Sequence, residues 1–238
     1  MKKTHLSVLL AAILALFLVG CGGKAEPSAP SAPAAPETSS GSAPSSGKAE
    51  DTPEEALAAA TDYLTFMHLS REGMIEELTD YGFSRENAEY AADNCGADWN
   101  EQAGLKADDY LGHFAFSHDG LVKQLEHDGF SHEEAVYGVD SLGADWNEQA
   151  VRKAQEYLEG DTFSYDELRD YLVDDGFDDE QAAYGVDNCG ADWNEQAKLA
   201  AESYLSFMDY THEDLVEELE YDGFTHEQAE YGATAAGV

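Results

Sequence analysis

Residues 176–197 read Gly-Phe-Asp-Asp-Glu-Gln-Ala-Ala-Tyr-Gly-Val-Asp-Asn-Cys-Gly-Ala-Asp-Trp-Asn-Glu-Gln-Ala, and they decide the fold. Gly176 can take the positive φ that ends a helix, after which Phe177 turns into a core. Asp178 then opens a new helix, because its carboxylate can accept from orphan backbone N–H groups. Further on, Asp192 stands three residues before Glu195, which is a capping-box spacing. One helix end, one whole helix and one helix start therefore fit in 22 residues. No stretch alternates with the period of a strand.

Outward from this stretch the chain repeats every 47 residues without insertions. Trp99, Trp146 and Trp193 are all three tryptophans, and each lies 47 from the next. Phe83, Phe130, Phe177 and Phe224 recur after a glycine at the same spacing, as do Tyr63-Leu64, Tyr110-Leu111, Tyr157-Leu158 and Tyr204-Leu205. A fixed period of this length marks an array of similar supersecondary units.

Each unit reads as three helices. The first opens at Asp98, Asp145 or Asp192, with Glu101, Glu148 or Glu195 completing the box, and in the first unit at Thr52-Pro53-Glu54-Glu55. The second opens at Ser70, Ser117, Ser164 or Thr211, each between two apolar residues at staple spacing. The third opens at Ser84, Ser131, Asp178 or Thr225. Ala91, Gly138, Gly185 and Gly232 fall midway along it, so a neighbouring helix is expected to approach closely there.

The expected fold is all-α: four tandem 47-residue three-helix repeats of helix-turn-helix type, at residues 51–96, 97–143, 144–190 and 191–238, the last truncated. The tryptophans and the four phenylalanines are the expected repeat core. Each tryptophan should pack near a seam between repeats, on a side the sequence leaves open. One such unit alone buries little apolar area.

The first fifty residues differ. Lys2 and Lys3 precede an apolar run from Leu6 to Val19, too short for a good membrane span, so residues 1–20 read as a signal peptide. The run ends in Leu18-Val19-Gly20-Cys21, a match to the lipobox, which implies lipidation of Cys21 and cleavage before it. Residues 21–50 hold five of the six prolines among Ala, Ser and Gly. Such a linker is too poor in apolar surface to order itself and could reach roughly 100 Å. The expectation is a chain anchored to the membrane, not one that spans it.

Charge narrows the partners. The full chain carries 12 Lys and Arg against 50 Asp and Glu; loss of Lys2 and Lys3 with the signal peptide leaves 10 against 50, a formal −40. That field repels nucleic acid and anionic headgroups and attracts basic segments. The helix-turn-helix is not a DNA reader, because Glu86, Glu133, Glu180 and Glu227 would meet phosphates near the start of every third helix. This glutamate column is the candidate partner-binding face.

Other constellations carry less. His118 and His212 share a column with Arg71 and Tyr165, and His132 and His226 share one with Arg85 and Asp179, replacements no metal ligand would survive; they read as exposed first-turn residues. Cys95 and Cys189 align with Leu142 and Ala236, which suits small buried side chains at a helix end. The acidic runs lack the calcium-loop pattern. No nucleophile–base set stands out. No metal, no catalytic residue and no cofactor beyond the covalent lipid on Cys21 is expected.

The set Tyr157-Leu158, Phe163-Ser164, Leu168, Gly176-Phe177, Ala182, Tyr184, Val186-Asp187-Asn188 and Ala191-Asp192-Trp193-Asn194 resembles the repeat of the Ltp-type surface lipoproteins. The likeness covers residues 51–238 and extends to the lipobox and linker. It implies a lipid-anchored protein on the outer face of the membrane of a Gram-positive cell, one that excludes superinfecting phage by stopping DNA injection. The partner it implies is a basic segment of the phage tape measure protein. The alternative expectation is a structural or adhesive surface array that binds wall polymer or a host-cell protein. Oligomeric state is left open.

Overall fold

A computed structural model describes residues 50–238, so the signal peptide, Cys21 and the linker fall outside the described residues. The described chain folds as twelve helices. Repeat 1 holds α1 (Pro53–Tyr63), α2 (Arg71–Tyr81) and α3 (Arg85–Asn94); repeat 2 holds α4 (Trp99–His113), α5 (His118–His127) and α6 (His132–Ser141). Repeat 3 holds α7 (Trp146–Gly160), α8 (Tyr165–Asp174) and α9 (Asp179–Asn188); repeat 4 holds α10 (Trp193–Phe207), α11 (His212–Tyr221) and α12 (His226–Ala236). There is no strand among the described residues. None of their helices is long and apolar enough to cross a membrane.

The helix boundaries follow from local chemistry. Ser70, Ser117 and Ser164 cap their helices through the side-chain oxygen, and Gly82, Gly129, Gly176 and Gly223 follow the second helix at φ values of 119°, 87°, 93° and 95°. The phenylalanine after each glycine donates its N–H five residues back, to Leu78, Leu125, Leu172 or Leu219, a Schellman closure that leaves the ring buried.

One expectation is corrected. The reciprocal capping box does not form at Asp98, Asp145 or Asp192; each carboxylate accepts two backbone N–H groups, but the glutamate three residues on does not reach back. The boxes form on the third helices instead, as Ser131 with Glu134, Asp178 with Gln181 and Thr225 with Gln228. Each of these contains at most one carboxylate. A box at the first helices would place Asp and Glu carboxylates side by side, and their repulsion outweighs the second hydrogen bond. Repeat 1 has the shorter Asn87, and Asp51 takes the Ser84 N–H at 2.9 Å in its place.

Each repeat has its own core, a cluster of residues from its three helices. Within it the first helix lies against the third. A Cβ built at Gly138, Gly185 or Gly232 would come within 2.7–2.8 Å of the backbone of Ala103, Ala150 or Ala197, so only glycine fits those contacts. Repeat 1 uses Ala91 and Ala56, both buried.

The tryptophans are half-buried at the rim of these cores. Trp99, Trp146 and Trp193 start the first helix of one repeat and pack on the core of the repeat before it. Trp146 meets His118 edge to face at 5.3 Å and Trp193 meets Tyr165 at 5.5 Å. Each works as a latch across a seam.

Beside the tryptophans, polar contacts join the repeats. The Ser70 hydroxyl donates to the Asp128 carbonyl at 2.7 Å, Ser117 to Asp175 at 2.6 Å and Ser164 to Asp222 at 2.7 Å, all from buried side chains. The N-terminus of one second helix thus meets the C-terminus of the next. Around it Arg152 donates to the Leu111 carbonyl at 3.0 Å, and Glu156 accepts the Ala115 N–H at 2.9 Å.

Candidate binding face

The candidate glutamates sit at the second position of α3, α6, α9 and α12, held outward by the cap before them and the buried alanine two residues on. Glu86, Glu133, Glu180 and Glu227 are all exposed, and none makes a hydrogen bond or ion pair with a described residue. A carboxylate in the first turn is favoured by the helix dipole, so part of the column's constancy is local stabilisation.

The few cations of the repeats are mostly spent internally. Arg71 pairs with Asp93, Arg85 with Glu72 and Glu89, Arg169 with Asp179, Lys106 with Asp128, Lys153 with Glu156 and Asp175, and Lys198 with Glu195. Most surface carboxylates therefore lack an internal counterion, and their field is directed at solvent.

One turn beyond each glutamate stands a tyrosine, which the sequence reading did not select. Tyr90, Tyr137, Tyr184 and Tyr231 are 46%, 57%, 46% and 47% exposed, and none donates its phenol to a described residue. The i, i+4 spacing puts glutamate and tyrosine on one helix face in all four repeats. Exposed neighbours drift freely: Arg85, His132, Asp179 and His226 share one column. The signal was thus in the sequence, as an exposed apolar ring kept where adjacent surface positions change.

The half-buried tyrosines behave differently. Tyr110, Tyr157 and Tyr204 donate to the carboxylates of Asp128, Asp175 and Asp222. Burial, then that hydrogen bond, pushes each phenol up, so each stays a donor and fixes the aspartate whose carbonyl closes a seam.

The histidines have structural work. His118 meets Asp140 at 2.9 Å, as Arg71 meets Asp93 and Tyr165 meets Asp187, three donors for one acceptor column. These first-turn residues are half-buried straps between the second and third helices, a correction to the exposed placement expected. His132 and His226 are exposed, each 2.8 Å from a glutamate of the preceding helix. Cys95 and Cys189 are free thiols, half-buried and buried. Among the described residues no group of three or more His, Cys, Asp or Glu is placed to hold a metal ion.

Between α4 and α6 the surface is indented by an open notch of about 510 Å³, lined by Asp98, Glu101, Gly104, Leu105, Asp108 and Tyr137 among others. Three acidic residues and one tyrosine line this space, and of the three carboxylates Asp98 is already engaged as the α4 cap.

A family model described as host cell surface-exposed lipoprotein matches residues 51–95, 98–142, 145–189 and 192–234, once per structural repeat. The chain belongs to this family. No curated protein and no solved structure matches it. Membership makes it a surface-exposed lipoprotein of helical repeats, the class the Ltp resemblance implied, and each match ends at the turn before a Trp-led helix or, in repeat 4, within α12.

Proposed function

We propose that this lipoprotein stands on the outer face of a Gram-positive membrane, held by lipid on Cys21, and that its acidic repeats bind a basic protein segment. The event blocked would be phage DNA injection, with the tape measure protein as partner. The observation that carries the reading is the column Glu86, Glu133, Glu180 and Glu227, exposed and unpaired in every repeat. Unpaired carboxylates steer a cationic chain over roughly a Debye length, about 8–10 Å at physiological salt. Four copies on one chain turn later contacts into intramolecular ones, which raises avidity if the partner has several basic sites.

Two measurements test this. Replacing all four glutamates with glutamine should weaken binding of a basic polypeptide and flatten its salt dependence, with helicity unchanged. Unaltered binding would remove the column from the site. In cells, a susceptible strain expressing the native protein should adsorb phage normally yet admit no phage DNA, whereas Cys21→Ala should restore entry. Equal infection of both strains by a panel of tailed phages would overturn exclusion, leaving the adhesive or structural array on wall polymer or a host-cell protein.

A further inference from the structure

The four repeats do not present the same surface around the exposed tyrosine. In repeat 4, Lys198 on α10 places its ammonium 2.8 Å from Glu195 and 4.0 Å from Glu202, on the helix that packs against α12 and its Tyr231. Counting back two repeats, Glu195 becomes Glu101, Glu202 becomes Asp108, Tyr231 becomes Tyr137, and Lys198 becomes Gly104. The cation is missing in repeat 2, and its place is the open notch. The carboxylates of Glu101 and Asp108 and the Tyr137 phenol have no partner among the described residues. In repeats 1 and 3 the same position holds Leu57 and Val151, and Asp108 is replaced by Thr61 and Gln155, so neither offers this arrangement.

We propose that the notch between α4 and α6 seats one arginine or lysine side chain of the basic partner segment. The inference rests on the reading that the acidic face binds such a segment, and it adds where one side chain goes. The chain itself shows what the two carboxylates hold, because in repeat 4 its own lysine lies between Glu195 and Glu202. The guest cation lies between Glu101 and Asp108, two turns apart on α4, with its stem over Leu105 and its charge against the Tyr137 ring. Cation–π attraction to a tyrosine and attraction to two carboxylates act together there. Glu133, one turn before Tyr137, extends the same face toward the next basic residue of the guest.

The test uses the full lipoprotein in neutral detergent and a synthetic peptide of alternating arginine and glycine, with the citrulline version as its uncharged twin. The native protein should bind the arginine peptide and not the citrulline one. Gly104→Lys, which copies repeat 4, should lower affinity about tenfold while favouring the helix, so the loss cannot come from unfolding. Tyr137→Ala should cost about fivefold, and Tyr137→Phe, which keeps the ring, should bind as native. Lys198→Gly should open a second seat and raise the number of peptides bound. If Gly104→Lys and Tyr137→Ala bind as native while the four-glutamine variant has lost binding, the notch assignment is wrong and the acidic-face reading stands. If the native protein does not prefer arginine over citrulline, both fall.

Discussion

Inside repeats 2, 3 and 4, the first and third helices meet through a close contact with no room for a methyl group; between repeats, helices meet through a serine hydroxyl and a carbonyl. The first and third helices touch at Gly185 and Ala150, where packing leaves no freedom. The seam between repeats 2 and 3 turns on the Ser117 hydroxyl, its Asp175 acceptor and the Trp146 latch on the preceding core. Stability is thus concentrated in separate cores, while relative placement depends on a few polar contacts and the tryptophan latches. A sum of repeat and nearest-neighbour terms describes such an array.

Breaking the intra-repeat contact should have the largest effect. Gly185→Val places a branched side chain where a Cβ alone would lie 2.8 Å from the Ala150 carbonyl. Overpacking of this kind should destabilise repeat 3 by about 3 kcal/mol, read as a lower denaturant midpoint. The control is Gly104→Ala, on the same kind of helix pair, where the nearest atom is the movable Ser141 hydroxyl at 3.1 Å. There the gain in helix propensity should dominate, with about 0.5–1 kcal/mol of stabilisation. Equal losses at both glycines would mean that close approach is not what selects glycine at 185.

The seam comes second. Ser117→Ala removes a helix cap and also leaves the Asp175 carbonyl without its side-chain donor, a combined loss of about 2 kcal/mol. Ser131→Ala removes a cap that touches no other repeat and should cost about 1 kcal/mol. The difference between the two, measured by urea unfolding, isolates the contribution of the seam. Identical losses would assign Ser117 to capping alone.

Much of this was legible because helix ends are local. A cap, a glycine and a phenylalanine lie within a few residues of the boundary they set, so Ser70, Gly82 and Phe83 declared themselves. The acidic column was equally plain, since a glutamate right after the first helical residue, two positions before the buried alanine, lies on the face opposite that alanine and points to solvent. What stayed hidden depends on distance along the chain. The Ser70 bond reaches a carbonyl 58 residues away, and a single repeat read alone shows only a capping serine. The hint lay in two paired columns: Tyr81 stands where the other repeats have Asp128, Asp175 and Asp222, and Thr211 stands where they have serine. The capping box was misplaced because its spacing occurs at two sites, and only the count of carboxylates separates them. The notch was invisible for a related reason. It is one glycine exchanged for lysine between repeats, and its meaning depends on a tyrosine from another helix.

The seams themselves are not equal, and the smallest prediction exploits that. Gly73 and Gly120 occupy the third position of the second helix at the first two seams; at the third seam this position is Glu167. Burial, then the neighbouring charge of Asp222, pushes its carboxyl up to about 7. A carboxyl raised in the folded state binds its proton more tightly there than in the unfolded chain. The cost of ionising it is therefore absent below about pH 4, grows as pH rises toward 7, and is complete above it. The whole shift would amount to about 3 kcal/mol, and solvent screening of a half-buried group reduces this to about 1 kcal/mol. Glu167→Gln should then raise the melting temperature by about 3 °C at pH 8 and leave it unchanged at pH 4. Titration of the other carboxylates acts on both proteins alike, so the difference between the two melting curves is the quantity to follow. A constant difference across that pH range would show that Glu167 does not ionise against the seam.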